Sequence, residues 1–271
     1  MMEGEVFHVK HKRLGPVFAI ANQKGGVGKT TTSINLAASL SALDKRVLVL
    51  DLDPQGNTTS GLGVDKDSVE IGMYDILGQG SSLSDAIIET ECEGLYLVPA
   101  TMDLSGAEIE LVNQENRERV LLTCLEKYDG EVFDYVIIDC PPALNMLTVN
   151  ALTASDRVLV TLQTEFYAME GLSQLMDTIR RVRAHLNNQL EIEGILLTMV
   201  DRRNNLSAQV EKDVREYFGV QVYESVVPRN VRLSEAPSYG LPVMYHDLRS
   251  SGAQAYLQVA QELIQREAMA V

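Results

Sequence analysis

Residues 21–32 read Ala21-Asn22-Gln23-Lys24-Gly25-Gly26-Val27-Gly28-Lys29-Thr30-Thr31-Thr32. An apolar run, Val17-Phe18-Ala19-Ile20, precedes this segment, and an amphipathic one, Ser33-Ile34-Asn35-Leu36-Ala37-Ala38-Ser39-Leu40, follows it. Strand, glycine loop and helix in that order is the setting a chain needs to cradle phosphate. Glycines let backbone N–H groups turn inward to a polyphosphate, and the helix start adds a field that favours anions. The spacing assigns Gly25, Gly26, Val27, Gly28 and Thr31 to the cradle. Lys29 would reach the β- and γ-phosphates of a nucleotide, and the Thr30 hydroxyl would ligate Mg²⁺.

Such a loop predicts an α/β chain, and the rest of the sequence agrees. Short, continuously apolar runs at 17–22, 46–51, 95–98, 134–139, 157–162, 194–200 and 222–227 suit strands buried on both faces. Helical patterns at 29–43, 105–128, 145–153, 169–187, 205–218 and 250–267 fall between them. This alternation predicts a mostly parallel, twisted sheet of about seven or eight strands with helices on both faces. Right-handed crossovers then gather the phosphate loop, the acids of 51–53, Asp139 and the 161–163 segment at one edge. No Pro/Gly/Ser-rich linker and no repeat divides the chain. We expect a flexible tail over 1–16 and one domain over 17–271.

Two acidic segments accompany the loop. Leu50-Asp51-Leu52-Asp53-Pro54-Gln55-Gly56-Asn57 places two carboxylates at a strand end, with Pro54 marking departure from the strand. A carboxylate there could hold the Mg²⁺ hydration shell or orient attacking water, or the pair could simply cap the strand. Tyr135-Val136-Ile137-Ile138-Asp139 has the Walker-B form, in which Asp139 would bind Mg²⁺ through water. Cys140 follows it, but no histidine lies nearby, and a buried strand-end thiol is the plainer role. Hydrolysis is therefore expected to use positioned water, Mg²⁺ and lysine charge, without a covalent intermediate.

Composition narrows the setting. The three cysteines are far apart and no CxxC pair occurs, which removes zinc and iron–sulfur ligand sets and suits a reducing compartment. No apolar run reaches membrane-spanning length, and residues 1–13 lack the apolar core of a signal peptide, so a cytoplasmic location is expected. The net charge of −15 opposes nucleic-acid binding as a whole. Cations nevertheless cluster late in the chain, at Arg180, Arg181 and Arg183, at Arg202 and Arg203, at Lys212 and Arg215, at Arg229 and Arg232, and at Arg249.

Where the usual loop has its first glycine the chain has Gln23, and it adds a lysine, Lys24. Lys24-Gly25-Gly26-Val27-Gly28-Lys29-Thr30 resembles the deviant phosphate loop of the ParA/MinD ATPases. The segment from Asp51-Leu52-Asp53-Pro54-Gln55-Gly56-Asn57 to Gly63, Asp139-Cys140-Pro141-Pro142, and Val227-Pro228-Arg229-Asn230-Val231-Arg232-Leu233-Ser234-Glu235-Ala236-Pro237 are similar to chromosomal ParA proteins of the Soj type. The likeness runs from about Val17 to the C-terminus. It implies an ATPase that uses ATP and Mg²⁺, dimerises on ATP, binds double-stranded DNA without sequence preference, and is stimulated by a ParB/Spo0J-type partner. It further implies nucleoid association. In those terms Lys24 would contact phosphate across the dimer, Lys29 would be the loop lysine, Thr30 the metal ligand, and Asp53 the switch aspartate needed for hydrolysis, on the metal side with Asp139. Pro228 and Asn230 would line the adenine pocket. Arg202 or Arg203, with Arg229 and Arg232, would contact DNA. Two alternatives stand beside this reading: a MinD-like membrane ATPase, and an ATP-gated scaffold that positions proteins without DNA. The first needs a basic amphipathic C-terminal helix, and the polar side of 256–267 carries glutamines and glutamates instead.

Overall fold

The computed structural model describes residues 13–112 and 114–270. Strands β1 (Val17–Ala21), β2 (Val47–Asp51), β3 (Ile88–Glu89), β4 (Leu95–Val98), β5 (Tyr135–Asp139), β6 (Arg157–Gln163) and β7 (Glu191–Thr198) form one sheet. Among the described residues it is seven-stranded, in the order β3-β4-β2-β5-β1-β6-β7. All neighbours are parallel except β3, which runs against β4.

The continuous apolar runs make sense once both faces are covered. β1, β2 and β5 are buried along their whole length. Alternate residues then serve different cores. Val17, Ala19, Leu48, Leu50, Val136 and Ile138 face helices α4 (Leu104–Leu111), α5 (Val120–Glu126), α6 (Met146–Ala154) and α7 (Ala168–His185). Phe18, Ile20, Val47, Val49, Tyr135 and Ile137 face α1 (Lys29–Ser41), with α9 (Val231–Glu235), α10 (Val243–Asp247) and α11 (Ser251–Ala270) behind. Short α2 (Asn57–Gly61) and α3 (Leu83–Ala86) sit in connections, and α8 (Asn205–Phe218) follows β7.

The structure departs from expectation at particular places. The helix expected over 105–128 is two helices, α4 and α5. Asn116 takes a left-handed φ of 55°, and buried Asn150 of α6 bonds the Arg117 carbonyl at 2.7 Å and the Leu121 amide at 3.1 Å. The break is thus held by a tertiary contact that helix periodicity does not encode. Among the described residues the expected strand at 222–227 makes one isolated bridge to β7, Val222 with Ile195. Its Glu224 and Ser225 amides donate instead to the Glu262 carboxylate on α11, at 2.9 and 2.8 Å. β6 runs on to Gln163, so 161–163 lie within the strand rather than after it.

Residues 1–12 of the expected tail lie outside the described residues. Arg13 and Gly15 exchange backbone hydrogen bonds with Phe133, and Leu14 is buried, so association with the sheet begins before Val17.

Candidate nucleotide site

The phosphate loop joins β1 to α1 at the carboxyl edge of the sheet. Gly26 and Gly28 have φ of 75° and 89°, a region closed to most side chains. The first N–H groups of α1 have no carbonyl before them in the helix, so they remain available to an anion. Lys29 is buried, and its Nζ curls over the loop to the Lys24 carbonyl at 3.1 Å. Burial lowers its pKa, while Asp139, Cys140 and Asp53 oppose that shift. The loop is also tied to its neighbours. Asn22 Nδ2 donates to the Thr161 carbonyl at 2.6 Å, Asn22 Oδ1 accepts the Lys24 amide at 2.9 Å, and the Thr198 hydroxyl donates to the Val27 carbonyl at 2.8 Å.

The carboxylates converge as parallel pairing requires. Asp51 and Asp139 stand opposite each other at the ends of β2 and β5. Asp139 accepts hydrogen bonds from Ser33 at 3.0 Å and Thr58 at 2.7 Å, and the Thr30 hydroxyl lies near enough to favour its charged form. Burial raises its pKa, and these hydroxyls oppose the shift. Asp53 has left the strand and is buried at 7% exposure. It takes the Gln55 amide on Oδ1 at 2.9 Å.

Asp51 is built differently. One of its oxygens accepts both the amide and the hydroxyl of Thr59, at 2.8 and 2.7 Å, and Thr59 in turn accepts the Ala100 amide at 2.9 Å. Asp51 therefore anchors α2.

Burial, then the charge of Asp139, pushes the Asp51 carboxyl up to about 8. The folded state holds that proton more tightly than the unfolded chain, so ionisation costs stability as pH rises from about 4 to about 8. Asp51→Asn is therefore expected to raise the unfolding midpoint of the metal- and nucleotide-free protein at pH 8. The advantage, on the order of a few kcal/mol, should fade towards pH 5. Scanning calorimetry in chelator across that range checks it; an effect that grows as pH falls would contradict the assignment.

The residues fit a magnesium nucleotide. Open space lies beside Gly26, the left-handed glycines shape a cradle, and Thr30 meets Asp139 at its floor. Among the described residues no cluster of three or more acidic, histidine or cysteine side chains could grip a metal alone. Mg²⁺ keeps several waters and takes much of its shell from phosphate, so it asks few ligands of the protein. When bound, Mg²⁺ would neutralise charge building up on the phosphates. Cys140 is buried and its thiol is pushed up by burial, so it offers no nucleophile.

Beside the loop a cavity of about 220 Å³ is lined by Gly28, Thr31, Thr198, Met199, Pro228, Asn230, Pro237 and Tyr256, among others. Pro228 and Asn230, the two residues expected at the adenine, both line this cavity. The Asn230 side chain is already engaged. It donates to Ser251 Oγ at 2.7 Å and accepts the Arg232 amide at 2.8 Å as the cap of α9. A base would meet backbone groups and the proline and methionine walls.

Lys24 behaves unlike Lys29. Its side chain is 46% exposed at the lip of the loop and pairs with Glu165. The expected DNA-contacting arginines also separate. Arg202, Arg203 and Arg229 line one open cleft of about 760 Å³. Arg203 is locked to Asp201 by two side-chain bonds of 3.0 and 2.9 Å. Arg232 pairs with Glu235 and Asp247, outside that cleft. Among the described residues, Arg202 and Arg229 make no ion pair.

Residues 15–192 match the family model described as an AAA domain. Over 250 residues the chain is 56% identical to the sporulation initiation inhibitor protein Soj of Bacillus subtilis, covering 92% of this chain and 98% of that protein. It is 56% identical over 252 residues to the chromosome partitioning protein ParA of Caulobacter vibrioides, covering 93% and 94%. The chain belongs to the Soj/ParA family of chromosome-partitioning ATPases. As a member of the Soj/ParA family it is an ATPase, with ATP and Mg²⁺ as cofactors. The fold extends to a solved structure from Mycobacterium smegmatis, a cobyrinic acid a,c-diamide synthase with bound ATP analog and magnesium. The two superpose with a TM-score of 0.83 at 38% identity, covering 95% of this chain and 97% of that one.

Sequence reasoning did not single out Asn22, Thr58, Thr59, Glu165 or Thr198 at this site. Hydroxyls and amides are common, and only the strand order places Glu165 and Thr198 beside the loop.

Proposed function

We propose that the chain is one ATP-switched DNA-segregation domain. Two copies close face to face on Mg·ATP, the pair holds double-stranded DNA without sequence preference, and a ParB/Spo0J-type partner stimulates hydrolysis and release. The observation that carries this reading is the position of Lys24. Lys29 already occupies the inside of its own loop, and the Lys24 charge stands outside it, where a facing subunit's phosphates could meet it. The pair with Glu165 is exposed on both sides, so releasing it costs little, about 0.2–1 kcal/mol.

DNA contact rests on local charge, since the chain as a whole is acidic. Arg202 and Arg229 line one cleft and make no direct ion pair among the described residues, although Asp201 feels the Arg229 charge. Pairing of subunits would double the patch, so affinity follows ATP through multivalency. That chemistry supports nucleoid association.

The membrane alternative is disfavoured by α11. Its Tyr256, Val259, Ala260 and Leu263 are buried in the core shared with α1, so that face is not free for lipid. Among the described residues no helix is long and apolar enough to cross a membrane.

Gel shifts on random-sequence duplex with ATP, with ADP and without nucleotide test the reading, repeated over a salt series. ATP-dependent, salt-sensitive retention is expected. Arg202→Ala should flatten the log–log salt slope by about 1.8 per dimer, one phosphate contact from each subunit. Arg203→Ala, whose charge Asp201 already engages, should change it less. Equal retention in all nucleotide states would remove the ATP switch, and absence of retention in every state would instead favour a scaffold that positions proteins without DNA.

A further inference from the structure

The phosphate loop is held from β7 as well as from its own strand. Thr198 ends β7 and is buried. The neighbouring segment bonds β7 through the Val227 amide to the Leu197 carbonyl at 2.9 Å and through the Val227 carbonyl to the Val200 amide at 3.0 Å. A regular parallel ladder would return that second bond at Met199, so Met199 is a bulge residue. It pays for this with a left-handed φ of 51°, which non-glycine residues rarely adopt. Ahead of the bulge, Thr198 packs on Gly28, with side-chain atoms 3.6–3.8 Å from where a Gly28 Cβ would stand. Its hydroxyl donates to the Val27 carbonyl at 2.8 Å.

That single bond fixes a direction. Across a trans peptide the C=O and N–H point opposite ways. Next to a glycine at φ 89° the 27–28 peptide has little steric reason to keep one orientation. Turning the Val27 carbonyl to Thr198 turns the Gly28 N–H away from Thr198, into the loop. We propose that Thr198 is a positioning residue for nucleotide binding, presetting the Gly28 amide for the polyphosphate before the nucleotide arrives. The assignment rests on the reading of 24–31 as the nucleotide loop. Part of the binding cost is then met in advance by the fold, as preorganisation requires.

The test is titration of a fluorescent Mg·ADP analog, which avoids any contribution from ATP-driven pairing, into wild type, Thr198→Val, Thr198→Ser and Lys29→Ala. Loss of one hydrogen bond predicts a Kd raised about 2- to 12-fold in Thr198→Val. Thr198→Ser, which keeps the hydroxyl, should return to the wild-type value. In steady-state hydrolysis KM for ATP should rise by the same factor while kcat holds, a split that general damage to the fold would not produce. If Thr198→Val does not fold, Thr198→Cys, a much weaker donor, carries the same comparison. Wild-type affinity in Thr198→Val alongside lost binding in Lys29→Ala overturns the role of Thr198 and leaves the loop assignment intact. Failure of serine to restore binding also overturns it. Absence of binding in wild type itself would remove the loop assignment and this one with it.

Discussion

Asp53→Ala is expected to bind Mg·ATP, pair, and stay paired. Among the described residues Asp53 makes no side-chain hydrogen bond to the glycines of the loop. Its Oδ1 takes the Gln55 amide at 2.9 Å, and its own amide donates to Asp51 at 3.2 Å. Removing it subtracts one negative charge near Lys29 and so does not weaken attraction for phosphate. What is lost is the carboxylate that stands where β2 gives way to the turn before α2, which we propose orients water. Loss of a positioned proton acceptor costs about 10²- to 10⁴-fold in rate. Phosphate release should fall by that factor, while light scattering shows a dimer that persists for as long as ATP is intact. DNA retention should become long-lived in step. Turnover at the wild-type rate would show that Asp53 has no part in hydrolysis.

Lys24→Ala is also expected to lose hydrolysis, but without a trapped dimer. Here the nucleotide still binds, because the cradle and Lys29 are untouched, and Mg·ADP affinity should match wild type. The fold should also survive, since the pair with Glu165 lies at the surface. Hydrolysis should drop by about 10²- to 10³-fold, the usual cost of deleting one preorganised charge or donor aimed at the reacting phosphates. Unlike Asp53→Ala, the variant should not be trapped as a dimer. A mixture of the two variants separates the roles further: if Lys24 acts across the interface, its effect depends on which neighbour it faces. Lys24→Ala with wild-type turnover would make Lys24 an ordinary surface lysine.

How much of this was legible in the sequence follows the physics of each feature. The loop was legible because glycine conformation, helix start and lysine spacing are all local. The strands at the centre were legible because burial on both faces removes polar residues from them, as in Tyr135–Asp139. The acid pair was legible as a pair but not by role. Only the hydrogen bonds from Thr59 show that Asp51 secures α2, and only pairing with β5 places it against Asp139. The break before α5 depends on Asn150, and the irregular edge after β7 on Glu262, both distant in sequence. Neither arginine pair could be split from sequence, because Asp201, Glu235 and Asp247 decide which charges are already engaged.

ATP is proposed to join two copies of the chain through Lys24. Multi-angle light scattering of the wild-type protein, run without nucleotide, with Mg·ADP and with Mg·ATP, and repeated on Lys24→Ala, measures that directly. The prediction is a monomer mass near 29.9 kDa without nucleotide and with Mg·ADP, and twice that mass with Mg·ATP for the wild type alone. A wild-type chain that keeps its monomer mass at saturating Mg·ATP, or a Lys24→Ala variant that doubles as readily, would contradict it.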